Sequence, residues 1–250
     1  MRAPAVPYPA DPGGARAGRP SPRVVAAASL APGAEGTELP AVPGFIASSF
    51  NPLVRETVRR CLGEPGDPAR PNPLIAPYAD RTALVLATVA GDATTSDLAS
   101  RKLVSGRVHN PLLFFQSVTT SILGHLTIEY GLTGPVSCLA ADSDVGEEAL
   151  RASELLLEDE DLDQVLVIVV ELAANPRTRA AFGHLAASGG TGRPPEGDHA
   201  VALLLRGAGG AGIALPGPGD RQGWPDPGSF RALAALADRV SAQAARGEEA

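Results

Sequence analysis

Side chains able to do covalent chemistry are few in this sequence. They are Cys61 and Cys138, the serine of Asp142-Ser143-Asp144, and four scattered histidines, His109, His125, His184 and His199. Ser143 stands where a short apolar run, Val136 to Ala141, stops and a helical pattern with Leu150, Leu155 and Leu157 begins. A strand turning sharply into a buried helix holds its elbow residue beside the unpaired N–H groups of the helix, where α/β enzymes present a nucleophile. A serine hydroxyl needs a neighbouring base to attack a carbonyl, and none lies close in sequence. The surrounding ADSDV is not the G-x-S-x-G elbow of hydrolases. Asp142, Asp144, Glu147 and Glu148 also place negative charge on the helix start, where they satisfy its dipole and oppose a thiolate or oxyanion. Asp144 followed three residues later by Glu147 reads as a capping box. Ser143 is therefore read as a polar elbow residue with a capping role, with nucleophile as the alternative.

Cys138 lies inside the apolar run with nothing basic near it to lower its pKa, and Cys61 sits on an apolar helical face. Both read as small core hydrophobes. The histidines lack ligand spacing and the two cysteines make neither a metal site nor a disulfide framework, so no metal or cofactor is expected. His184, in a loop-like stretch, is the histidine with a possible reach to the elbow. The Gly-rich SGGTGRPPEGD (188–198) lacks the strand-to-helix setting of a phosphate loop and reads as a linker.

Positioning these residues takes a core. The chain has 250 residues, 44% of them apolar and only 4% aromatic, so Leu, Val and Ala must fill it. A net charge of −7 argues against nucleic acid. It also gives the protein no general attraction for an acidic partner, so such a contact would need a local arginine cluster. No apolar run has membrane-spanning length and the Pro/Gly-rich start is unlike a signal peptide, so a cytoplasmic protein is expected.

Residues 1–22 read as a disordered, Pro/Gly-rich N-terminus. Short apolar runs at 24–30, 82–89, 136–141, 163–170 and 198–206 read as strands. Helical spacing marks the second half of 44–62, with Asn51 as N-cap and Pro52 at N1. It also marks 95–103, 112–130 ending at Gly131, the stretch after Asp144, and 229–246 capped by Ser229. The domain 23–206 is followed by a linker (207–228) and a C-terminal amphipathic helix (229–250), expected to pack on the domain through Phe230, Leu233, Leu236 and Val240. Alternating strands and helices make an α/β layered domain.

The elbow, GLTGPVSCLAADSDVGEEAL, resembles that of the condensing enzymes, the β-ketoacyl synthases of the thiolase superfamily. The likeness extends to TALVLATVAGD (82–92), NPLLFFQSVTTSILGHLTIEYGLTGP (110–135), DQVLVIVVEL (163–172) and GDHAVALLLR (197–206), covering roughly 24–206. In that family a Gly-Pro and a strand lead to a reactive Cys at the start of a central helix, eight residues after the Pro. Counting from Pro135 puts Ser143 there, while Cys138 falls five residues early. The resemblance implies a layered α-β-α half of the thiolase-like fold, with a mixed sheet of about five strands around a central buried helix. The family's second half supplies two histidines and a lysine, which no residue after 206 is placed to provide. His125 occupies a place where the family often carries a histidine without using it in catalysis.

Two functions of different class follow from the resemblance. The first is a non-catalytic, chain-length-factor-like subunit of the aryl-polyene or polyene type, paired as a heterodimer with a complete ketosynthase in polyketide or fatty-acid-type chain elongation. Acyl carrier protein is then met through that complex. Phe114, Phe115, Val118 and Ile122 become candidates for lining the acyl tunnel, and Val136, Cys138 and Leu139 for the subunit interface. The second is a stand-alone acyltransferase or thioester hydrolase using Ser143 or Cys138. The absent cysteine and the acidic elbow favour the first. Leu150, Leu155, Leu156 and Leu157 also need cover from another subunit, a second copy or the chain's own C-terminal helix.

Overall fold

The structure, a computed structural model, describes residues 21–32, 38–106, 111–141, 144–187, 194–207, 211–221 and 230–248. Ser143, Ser229, His109 and the N-terminal residues 1–20 therefore lie outside the described residues.

A six-stranded mixed sheet forms the centre, in the order β5-β4-β6-β7-β1-β8. The strands are β1 (Arg23–Leu30), β4 (Thr82–Thr88), β5 (Val136–Ala140), β6 (Gln164–Glu171), β7 (His199–Arg206) and β8 (Ile213–Ala214); β2 (Gly66–Asp67) and β3 (Arg70–Pro71) make a separate small hairpin. β4 runs parallel to both β5 and β6, while β7 is antiparallel to β6 and β1. Every residue of β4 and β6 is buried. That burial explains why these strands are nearly continuous apolar runs instead of alternating ones, for both faces of the sheet are covered.

The helices are α1 (Phe50–Leu62), α2 (Ala93–Val104), α3 (Pro111–Ser117), α4 (Thr120–Tyr130), α5 (Val145–Leu156), α6 (Pro176–Ala187), α7 (Pro218–Arg221) and α8 (Phe230–Glu248). On one face Phe50, Leu53 and Val58 of α1 and Ile122, Leu123 and Leu126 of α4 pack on Leu84, Leu86, Leu166 and Ile168. On the other, Val145, Ala149 and Leu150 of α5 and Leu233, Leu236 and Val240 of α8 pack on Val85, Val167, Val201 and Leu203. Three layers result, as expected, with one more strand than expected: β8 pairs with Arg23 and Val24 from within the stretch read as linker. The C-terminal helix packs on the domain, covering β1 and β7.

Several local expectations shift. Ser49, not Asn51, occupies the N-cap position of α1, its hydroxyl donating to Asp198 and not to the helix, and Asn51 is buried in the first turn, where its Nδ2 donates to the Gln116 carbonyl. The helix expected over 112–130 is two, α3 and α4, broken at Val118-Thr119. There Ser117 Oγ donates to Phe114 O and Ser121 Oγ to Phe115 O, the carbonyl competition by which serine hydroxyls weaken a continuous helix. Gly131 does end α4 in the left-handed conformation (φ 66°), with Leu132 N–H returning to Thr127 O. The loop-like stretch around His184 is a helix, α6, started by Asn175, whose Oδ1 accepts from Thr178 N–H at 2.8 Å.

Candidate functional site at the elbow end of the sheet

Parallel strands deliver their C-terminal ends to the same side, so the turns after β5, β4 and β6 meet at one end of the sheet, where open α/β folds place their sites. The elbow belongs to this end. Its approach is set by Gly134: a Cβ there would lie 2.2 Å from the carbonyl oxygen of Thr82, so only glycine lets the Gly-Pro turn pass this close to β4. Pro135 O then accepts from Leu84 N–H at 2.8 Å and sets the β5 register, pairing Leu86 with Cys138 and Ala87 with Leu139.

Beyond the elbow, Asp144 caps α5, its Oδ1 accepting from Glu147 N–H at 2.9 Å. The Glu147 carboxylate is engaged by Arg151 at 2.9 Å and by Arg221 at 2.8 Å, and Arg221 also binds Glu154 at 2.8 Å. The side chain of Arg221 is wholly buried. The acidic flank read from sequence is thus partly neutralised by an arginine 74 residues away, which straps 211–221 over the central helix. Glu148 stays exposed.

Neither thiol is primed. Cys138 is half-buried, and burial pushes its pKa up, only partly offset by a hydrogen bond with Thr119. Cys61 is fully enclosed and pushed up to about 12 by burial. His125 is half-buried against Phe45 and stands 3.6 Å from Glu129. His184 is on the exposed side of α6. His199 Nε2 is 2.9 Å from Ser29 Oγ and is held below the usual imidazole range by burial. No group of three His, Cys, Asp or Glu able to hold a metal occurs among the described residues.

Of the residues proposed for a tunnel or interface, Phe114 and Phe115 are exposed at 72% and 48%, and Val118 is half-buried. Ile122 is fully buried in the core beside Leu123 and Leu126, so in this chain it faces the sheet. Val136 is 42% exposed, and Cys138 and Leu139 are half-buried on β5. A shallow cavity of about 540 Å³ lies beside them, lined by Leu139, Ala141, Arg151 and Leu155. Leu155 is exposed at 68%, while Leu150 is buried and Leu156 and Leu157 are half-buried.

Sequence reasoning missed Glu171. At the end of β6, its Oε1 accepts from Thr88 Oγ1 and Val89 N–H, while its buried Oε2 has no partner. Burial, outweighing those donors, raises its pKa to about 7. The signal was present as a lone acid closing the apolar run QVLVIVVE.

No protein-family model matches the chain, and no curated protein matches it. Solved structures do. A chain of the ketosynthase ApeO in complex with its chain length factor ApeC from Xenorhabdus doucetiae superposes with a TM-score of 0.56 at 17% identity, over 76% of this chain and 80% of that one. The ishigamide ketosynthase/chain length factor gives 0.57 at 17% identity, over 76% and 63%. AntDE:AntF, a type II polyketide synthase acyl-carrier protein in complex with its ketosynthase, gives 0.56 at 13% identity, over 76% and 64%. The chain therefore spans four fifths of the first and slightly under two thirds of the other two. The fold is that of the ketosynthases, as the elbow motif implies. Among the described residues no helix is long and apolar enough to cross a membrane.

Proposed function

We propose that this chain, built on the ketosynthase fold, is a non-catalytic, chain-length-factor-like partner of a complete ketosynthase acting on acyl chains held by a carrier protein. The observation that carries this reading is the β5 edge. In a sheet otherwise covered on both faces, β5 alone of the long strands has no fully buried residue, and its outer side has no strand partner among the described residues. An unpaired edge of this kind is a template for another strand. Ala140 and the half-buried Leu139 and Ala141 suit a close, dry pairing with a strand of a second subunit.

The chemistry agrees with a supporting role. The family's thiol position is held by Ser143, Cys138 is pushed toward its inert protonated form, and the helix start carries carboxylates. The exposure of Phe114 and Phe115 on α3 supports a role for them in limiting the length of an acyl chain held between subunits. Co-expression with a ketosynthase followed by size-exclusion chromatography tests this directly, and co-elution is expected. Incubation with thioester substrates should add no acyl mass, and Ser143→Cys alone should not condense. A stable acyl adduct at Ser143 or Cys138, with thioester cleavage by a lone monomer, would instead establish the acyltransferase or hydrolase.

A further inference from the structure

β4 and β6 are adjacent parallel strands, so the helices that follow them, α2 and α6, leave the same end of the sheet side by side. Between them lies a hollow of about 260 Å³, walled by Val89 and Ala93 on one side and by Ala181, Phe182 and Leu185 on the other. Ser96 and Thr178 also line it, and Arg177 is the one charged residue that does so among those described. None of the residues proposed above for the tunnel or the subunit interface takes part.

The walls of the hollow are fixed from behind. Val89 N–H donates to Glu171 Oε1, Gly91 N–H donates to Thr88 Oγ1 at 3.0 Å, and Asp92 caps α2 by accepting from Thr95 N–H at 2.9 Å. Phe182 is buried, while Arg177 is exposed and donates to Ser100 Oγ of α2 at 3.2 Å, which holds its guanidinium across the gap between the helices. Arg177 also borders a groove of about 490 Å³ that includes Asp97, Arg101 and Asn175. There Arg101 is already paired with Asp97 at 3.0 Å, whereas Arg177 spends its bond on a neutral hydroxyl. A compact inorganic anion would use the guanidinium and leave the apolar walls empty, and a plain hydrocarbon would do the reverse. A short aliphatic chain ending in a carboxylate uses both, with charge-assisted bonds at its head and apolar burial along its tail. The hollow is smaller than the roughly 300–1,000 Å³ of sites for drug-sized ligands, so the chain it suits is short, and preformed walls leave little ordering cost.

We propose that the hollow between α2 and α6 is a binding site for a free medium-chain aliphatic carboxylate, its head on Arg177 and its tail against Phe182 and Leu185. The site belongs to the lone chain and does not rest on the partner role proposed above.

The test titrates the full chain with hexanoate, octanoate and neutral octanol, following backbone amide shifts by NMR. Saturable shifts below about 10 mM octanoate are expected, centred on residues 89–96 and 177–185. Each added methylene should tighten binding about two- to fourfold, and octanol should bind about fivefold or more weakly than octanoate. Arg177→Gln should bring octanoate down to the level of octanol. Ala181→Leu, at an exposed helical position, should fill the hollow and weaken both ligands about tenfold or more, while Arg239→Gln on α8 should change neither. If Ala181→Leu disturbs α6, the comparison of octanoate with octanol on the unsubstituted protein still decides. Octanoate shifts centred on 112–122, equal affinity for hexanoate and octanoate, octanoate affinity unmoved by Arg177→Gln, or no saturable shift would each overturn the site. Failure to co-elute with a ketosynthase would overturn the partner role and leave this site standing.

Discussion

The two edges of the sheet are built on opposite terms. At one, β1 is buried along most of its length because α1 closes one face, α8 the other, and β8 pairs with its first residues. At the other, β5 has a pattern of exposed ends and half-buried centre, with Val136 and Leu155 exposed beside a shallow cavity. Among the described residues the chain thus completes one edge with its own C-terminal segment and has no strand beside the edge that carries the elbow. A protein that needed only to fold would gain from covering both. Substitutions at the first edge should therefore cost stability, and those at the second should cost association.

The sharpest break of that contrast is removal of 228–250. Leu233, Leu236 and Val240 would be lost and Val24, Val201 and Leu203 uncovered, a loss of roughly 6 kcal/mol at about 2 kcal/mol per large buried side chain. That is a large share of a typical domain stability of about 5–15 kcal/mol, so little soluble folded protein is expected. An unchanged melting temperature and solubility would mean that α8 is an appendage. Leu236→Ala alone should lower stability by about 3 kcal/mol in denaturant titration.

Next in size is Glu171 on β6, between the edges. Its folded pKa, about 7, is above the ordinary 4.5, so the native state binds the proton more tightly than the unfolded chain. The resulting stabilisation is fully present below about pH 4.5 and is lost as pH rises through about 7, a span on the order of 3 kcal/mol. Glu171→Gln should flatten this dependence, making the variant the more stable protein at pH 8. Parallel stability curves for the two proteins from pH 5 to pH 8 would contradict it.

Gly134→Ala should cost about 2 kcal/mol, because the new methyl meets the Thr82 carbonyl at 2.2 Å and β5 must move from β4. For a chain of this length that is a fall in Tm of about 4–8 °C. It should also lower recovery of the ketosynthase complex. Val136→Lys is the smallest in stability, within about 0.5 kcal/mol because the side chain is already exposed, yet it should abolish co-elution with the ketosynthase by placing a charge on the pairing edge. Intact co-elution of this variant would place the interface elsewhere.

Much of this was legible in the chain itself. The fully buried strands announced themselves as unbroken apolar runs, since strands covered on both faces have no reason to alternate, and the Gly-Pro turn, the Asp144 cap and the Gly131 stop are local signals read from a few neighbouring residues. The likeness to the ketosynthase fold was carried by the elbow motif and by the stretches at 82–92, 110–135, 163–172 and 197–206. Even α6 carried an Asn-Pro start that passed unread. Other features were decided only by tertiary structure, because they depend on residues far apart in sequence. Arg221 meets Glu147 and Glu154 across 74 and 67 residues, the split between α3 and α4 turns on which carbonyls two serines reach, and Glu171 became a buried acid with a raised pKa only when β4 packed beside it. The groove between α2 and α6 belongs with these: Arg101 and Arg177, which line it, lie in segments over 70 residues apart, and only the pairing of β4 with β6 brings them together.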